Sequence, residues 1–227
     1  MQLPELIRGH FIKRDNRFRA TVLVAGRESW AHVPNSGRLA DLFTPNRPVW
    51  LAPDAAPHRK TAFDLKLVEV GSNLVSVDAR LPNSLFAESL EAGVLVGFDF
   101  PQIEREVTWG HSRLDFRLSG PAGVCWVETK SVTLVEKGLA LFPDVPTGRG
   151  RRHLQALIEL CRLGNRAAAL FVIQRLDAHG LAPHEQADPL FAATLRQALE
   201  AGVEARAFTC RVALDSIAIA GEVPVLI

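Results

Sequence analysis

The sequence predicts a two-domain α+β protein: a small closed β-barrel over residues 1–80, followed by a mixed α/β domain over residues 83–227. Three observations lead there. Short alternating strands separated by Pro/Gly turns fill the first third of the chain. The apolar period changes from two to helical near Leu81. The elements beyond that point then read α-β-β-β-α-β-α-β, a mixed α/β order.

In the first part, "RFRATVLV" (Arg17 to Val24) alternates cleanly. Phe18, Ala20, Val22 and Val24 share one face and Arg17, Arg19 and Thr21 the other, so Phe18 is expected in the barrel core. "ESWAHV", "PVWLAP", "FDLKLVEVG" and "NLVSVDA" are further strands, and "PNSGR" (Pro34 to Arg38) is a turn. An OB-type barrel fits this size, as do other small barrels.

In the second part, "PNSLFAESLEAGVL" predicts a helix from Ser84 to Ala92, capped by Asn83 or Ser84 and ended by Gly93. Three strands follow in "IEREVTW", "SRLDFRLS" and "GVCWVETKSVTL". "TGRGRRHLQALIELCRLG" is a helix capped by Thr147 and stopped at Gly164. "AALFVIQ" is a continuous apolar run and so a buried strand. "DPLFAATLRQALEAG" is an amphipathic helix, and "VEARAFTCRV" is the last strand.

Composition narrows the class of protein. The net charge of +1 gives no global field toward nucleic acid, so any such surface comes from local clustering. Lysines number five against 21 arginines. Cys125, Cys161 and Cys210 lie far apart with no CxxC pair, which argues against a disulfide framework and a structural zinc site. A reduced, cytoplasmic setting is expected. No apolar stretch has the length of a signal peptide or a membrane span. Motifs for a P-loop, a dinucleotide fold or a serine esterase are absent.

The chemistry concentrates in "RLDFRLSGPAGVCWVETKSVTL" (Arg113 to Leu134), which reads as a hairpin with charges at its centre. Leu114, Phe116 and Leu118 are expected on one face, with Arg113, Asp115 and Arg117 on the other. Glu128 and Lys130 are two apart on the next strand, about 7 Å between Cα atoms. Asp115 and Glu128 can converge, and two carboxylates in a partly dry site repel each other unless a cation intervenes. An all-oxygen set suits Mg²⁺ or Mn²⁺. A metal there can polarise a phosphodiester, with Lys130 orienting the attacking water or stabilising the transition state. The plainer alternative is a cross-strand salt bridge on a solvated sheet.

Two further clusters are cationic. Arg149, Arg151, Arg152 and His153 crowd a helix start, where cations are unfavourable unless an anion sits there. Lys13, Arg14, Arg17 and Arg19, interleaved with Phe11 and Phe18, form either a single-strand binding edge or ordinary barrel surface. In "PNSGR", Asn35 and Ser36 can donate and Arg38 is cationic, so the segment is either a phosphate-cradling turn or a plain β-turn.

"RFRATV", "HVPNSGRL", "LPNSLFAESL", "EVTWGHSRLDF", "VETKSVTL" and "LFPDVPTGRGRRHL" together resemble the sugar fermentation stimulation protein family, in order over nearly the whole chain. The resemblance implies an N-terminal OB-like barrel and a C-terminal PD-(D/E)xK nuclease-like domain. It also implies DNA binding without strong sequence specificity and a link to the regulation of sugar (maltose) metabolism genes. The nuclease-like pattern maps onto Asp115, Glu128 and Lys130, with Glu88 as the helix acid and Glu106 as its competitor. The resemblance also places Arg149 to His153 at DNA or metal contacts, and makes Asp144 a loop acid within reach of the metal. The same fold also serves non-catalytic DNA binders, so the choice between nuclease and regulator stays open.

Overall fold

The computed structural model describes residues 1–54, 56 and 58–227. The first six strands are β1 (Ile7–Asn16), β2 (Arg19–Val24), β3 (Arg27–His32), β4 (Pro48–Pro53), β5 (Phe63–Val70) and β6 (Asn73–Ser76). They pair in the order β3-β2-β1-β4-β5-β6. A short parallel pairing, Ala31↔Phe63 and His32↔Asp64, joins β3 to β5 and closes the sheet into a barrel. Closure removes the free edges and encloses Ala20, Val22, Val49, Leu51, Leu65 and Val75, all fully buried. Phe18 is not among them. It precedes β2 at the barrel rim and is 49% exposed, because the strand begins only at Arg19 and the core ends there.

The second domain contains the helices α1 (Leu81–Glu91), α2 (Gly148–Arg162) and α3 (Pro189–Glu200). Its strands are β7 (Gln102–Trp109), β8 (Ser112–Gly120), β9 (Gly123–Val132), β10 (Val135–Glu136), β11 (Leu139–Phe142), β12 (Arg166–Ile173), β13 (Gly180–Pro183), β14 (Glu204–Val212) and β15 (Ile217–Val223). The main sheet runs β15-β14-β12-β9-β8-β7, and β10, β11 and β13 form a small second sheet. The expected α-β-β-β-α-β-α-β order is present, with β10, β11, β13 and β15 added. These four are too short or too irregular to carry a period.

Helix ends follow their sequence signals with one exception. The Thr147 hydroxyl accepts from Gly150 N–H at the start of α2, and Gly164 takes a left-handed φ of 83° just past its end. α1 begins at Leu81, three residues before the expected start. Pro82 suits a first turn with its fixed φ, so no side-chain cap is needed and Asn83 is free for another task.

The main sheet buries both faces. Residues of β12 alternate between two cores: Ala169 and Phe171 pack under α2 and α3, and Leu170 and Val172 pack under α1. β8 breaks this rule. Leu114 packs in the α2/α3 core, but Phe116, two residues on, packs in the α1 core. The expectation of one shared face for Leu114, Phe116 and Leu118 is therefore corrected: the strand turns over at Asp115. Its neighbour Glu106 on β7 shows the matching distortion, a left-handed φ of 54° between two pairs in regular register.

Asp188 ties α2 to α3. Its carboxylate accepts from Phe191 N–H at the start of α3, from Thr147 N–H before α2, and from Arg151 Nη1, which lies 3.0 Å from Oδ1 and 2.9 Å from Oδ2. Burial pushes its carboxyl up, but these donors outweigh burial and hold it below the usual carboxylate range. Asp188→Ala should cost about 2 kcal/mol, read as a lower urea midpoint at unchanged slope. A loss below about 0.5 kcal/mol would show that the tie contributes nothing.

The domains meet through hydrogen bonds. Ser76 N–H at the end of β6 donates to the Gln174 carbonyl just past β12, at 3.0 Å. Among the described residues, no helix is long and apolar enough to cross a membrane.

Candidate functional site

Strands β7, β8 and β9 bring three carboxylates level. The pairs Arg105↔Phe116 and Val107↔Leu114 flank Glu106 opposite Asp115. On the other side of β8, the ladder runs up to Phe116↔Val127, one step short of Asp115 opposite Glu128. There the ladder stops, and Thr129 N–H donates to Asp115 Oδ2 at 2.8 Å. The strands part at this point and leave a cavity of about 620 Å³ lined by Glu106, Asp115, Glu128 and Lys130. Asn83, Asp144 and Arg149 also face it.

Both oxygens of Asp115 accept from neutral donors. Asn83 Nδ2 donates to Oδ1 at 2.8 Å, and the Thr129 hydroxyl lies 3.0 Å from Oδ2. Thr129 Oγ1 also meets Asn83 Oδ1. Asn83 and Thr129 were not singled out from the sequence as site residues. The only signal was an Asn in the first turn of a helix, which reads as a cap.

Glu128 is buried and asymmetric. Lys130 Nζ and His153 Nδ1 both lie against Oε1. A carboxylate brings no proton to either bond, so the imidazole proton is on Nδ1. Burial pushes the Glu128 carboxyl up, but Lys130 and then His153 overcome it and hold the group ionised, below the ordinary glutamate range. Oε2 is buried with no hydrogen-bond partner. An unpaired buried carboxylate oxygen is costly and calls for a ligand. Among the described residues, no group of three or more His, Cys, Asp or Glu side chains is placed to hold a metal ion.

The expected residues divide into those the fold brings to this cavity and those it does not. Glu88 does not join: its side chain is 52% exposed and pairs with the N-terminal ammonium at 2.8 Å, on the face of α1 turned toward β15. Glu106, its competitor, lines the cavity instead. At the start of α2, His153 enters the site, and Arg149 is exposed on the cavity wall. Arg151 is drawn away to Asp188, and Arg152 is exposed in an adjoining cleft that it lines with His111, Arg149 and His153. The anion expected at this helix start is therefore in part the protein's own Asp188.

The "PNSGR" loop cradles an anion, and that anion is also internal. Asp144 Oδ2 accepts from Arg38 N–H at 2.6 Å and Leu39 N–H at 3.3 Å. A Cβ on Gly37 would sit 2.6 Å from the same oxygen, so only glycine admits this approach. Asn35 is buried, donates to the Val77 carbonyl and accepts from Gly37 N–H, which removes it from any ligand. Ser36 and the Arg38 side chain stay exposed. Arg14 closes the loop from below through four carbonyls. On the barrel wall, Arg19 stacks on Trp30 at 4.3 Å and pairs with Asp15, while Lys13 and Arg17 are exposed.

A family model described as the SfsA N-terminal OB domain matches residues 12–77, and one described as the sugar fermentation stimulation protein RE domain matches residues 80–216. The chain belongs to the sugar fermentation stimulation protein family. A relative from Moorella thermoacetica, named sugar fermentation stimulation protein homolog, is 46% identical over all of this chain and 99% of its own length. One of the same name from Desulforamulus reducens is 43% identical, covering 98% of this chain and 93% of that protein. Among solved structures, SfsA of Pyrococcus furiosus in complex with Ca²⁺ superposes with a TM-score of 0.92 at 34% identity. It covers the whole of this chain and 98% of that one. The OB-like barrel followed by an α/β domain is thus the architecture of the family.

Proposed function

We propose that this protein binds DNA and hydrolyses phosphodiester bonds at the cavity between β8, β9 and α2, with Mg²⁺ or Mn²⁺ as cofactor. The observation that carries the reading is Glu128 Oε2, buried and unpartnered beside a cavity lined by three further acids, Glu106, Asp115 and Asp144. Asp115 and Glu128 would hold the cation, with Glu106 replacing Glu88 as the third acid within the cavity. When bound, the cation would neutralise the carboxylates and polarise the phosphodiester. Asn83 and Thr129 fix the Asp115 carboxylate in place. His153 keeps Glu128 ionised and oriented. Lys130, on the same strand face as Glu128, orients the attacking water and stabilises charge gained by the phosphate. Arg149, Ser36 and Arg38 lie where the flanking phosphates would run. The Ca²⁺ in the structure of the Pyrococcus furiosus relative supports a divalent site of this kind.

A second reading has its own observation. Lys130 already balances the Glu128 charge and His153 bonds the same oxygen without a metal, as a domain that kept the fold for DNA binding alone would need. In that reading the protein is a non-catalytic regulator of sugar fermentation genes.

Metal binding tests the site apart from activity. Saturating Mn²⁺ should raise the thermal midpoint of the wild type by several degrees, by linkage. Asp115→Asn combined with Glu128→Gln should abolish the rise. A rise that persists undiminished in the double variant would place the metal elsewhere.

A further inference from the structure

The turn between β1 and β2 holds an aromatic ring outside the core, and nothing in the fold needs it there. Phe18 is 49% exposed. The backbone of the turn is nevertheless well tied. Phe18 N–H donates to Asn16 Oδ1 at 2.9 Å, the Phe18 carbonyl accepts from Val33 N–H at 2.9 Å, and the Arg17 carbonyl accepts from Arg14 at 2.6 Å. The apolar ring it carries gains nothing in water until something covers it.

Arg17, adjoining Phe18 on this turn, lines a cleft of about 520 Å³ together with Arg14 and Arg38, and no acidic residue lines it. Ser36, Gly37 and Val145 line both this cleft and the acid-lined cavity, so the two adjoin. Arg14 is committed to four backbone carbonyls, which leaves the guanidinium groups of Arg17, next to the ring in the chain, and Arg38 to meet an anion on the way to the proposed reaction site. A base has a π-face for the ring, and its chain carries one phosphate per nucleotide for the arginines. An apolar protein partner would want a wider hydrophobic patch. The other exposed aromatic of the barrel, Trp30, lies on the outer wall and is covered by Arg19.

We infer that Phe18 stacks an unpaired base, so that the nucleic acid this protein takes carries a single-stranded segment leading into the site. The inference rests on the nucleic-acid reading above and adds the class of substrate. A base inside a duplex hides both faces against its neighbours. Only a single strand, an overhang or a frayed end can offer one to the ring.

Binding measured in EDTA tests the inference independently of cleavage. Fluorescence anisotropy would compare a single-stranded DNA oligonucleotide, its RNA equivalent, a duplex with an overhang and a blunt duplex. Phe18→Ala should weaken the single-stranded and overhang substrates about ten-fold, the loss of one stacked base, with the salt slope unchanged. Blunt duplex affinity should stay within about two-fold, and Phe18→Trp should restore the loss. The larger loss, in the DNA or the RNA arm, names the natural strand. An equal loss on blunt duplex, or no loss on any substrate, overturns the inference. Wild type that shows the Phe18-dependent preference but never cuts would leave this inference standing and defeat the phosphodiesterase. Wild type that cuts while Phe18→Ala binds and cuts like it would do the reverse.

Discussion

Replacing Lys130 with alanine should lower DNA cleavage at least about 100-fold, the loss expected when one preorganised cation is removed from a transition state. DNA affinity should change by no more than about two-fold, because one ammonium is a small share of the phosphate contacts. Lys130 is 10% exposed and lies against Glu128 Oε1, which keeps His153 as a partner after the change. The fold should therefore survive, and an unchanged thermal midpoint checks that. Lys130→Arg should not restore the rate, since a planar fork cannot occupy the place of a compact ammonium beside Glu128. Wild-type protein that binds DNA, takes up Mn²⁺ and leaves every DNA and RNA substrate uncut across a range of pH would end the enzymatic reading. The non-catalytic regulator would then remain.

The second large effect concerns stability. Arg14 donates to the carbonyls of Gly37, Arg38, Arg17 and Asn35 at 2.6 to 2.9 Å. Burial lowers its pKa, and the nearby Asp144 opposes that shift. Arg14→Ala would strip four carbonyls of their donors and leave the loop that receives Asp144 without its floor. A loss of about 3 kcal/mol is expected, read from denaturant unfolding of the full chain. Arg14→Lys should recover part of it, because three donors on one nitrogen cannot reach four divergent carbonyls. A loss under about 1 kcal/mol would mean that water replaces the guanidinium at little cost. The contact also joins the two domains, since Asp144 lies in the second and the loop in the first. Loosening it should be felt at the cavity wall that both line.

Much of the architecture could be read directly. Alternation located β2 to β5 and β7 to β9, and the Thr147 cap and Gly164 stop bracketed α2. Such signals are local. A strand period or a cap is settled within a few residues, so the chain carries it wherever the rest of the fold goes. Asp115, Glu128 and Lys130 were legible for a related reason. A hairpin fixes which positions face each other once its turn is known.

Other features needed the tertiary structure. The resemblance favours Glu88 as the helix acid over its competitor Glu106, but Glu88 reaches the N-terminus and Glu106 the cavity. Asn83 read as a cap, and its real partner is Asp115, 32 residues on. Arg151 read as a phosphate ligand and is held by Asp188, 37 residues away. "PNSGR" reads as either a phosphate-cradling turn or a plain β-turn, and it cradles Asp144, 106 residues away. Phe18 kept the alternation of a core residue and yet stands in water, because the barrel ends before it. The common cause is that a charged or aromatic side chain takes whichever partner lowers its free energy most. The sequence alone determined the elements and the residue types of the site. Only the fold decided which of those groups pair with one another and which, like Glu128 Oε2, are left without a partner, because burial and partner distance exist only once distant segments have packed.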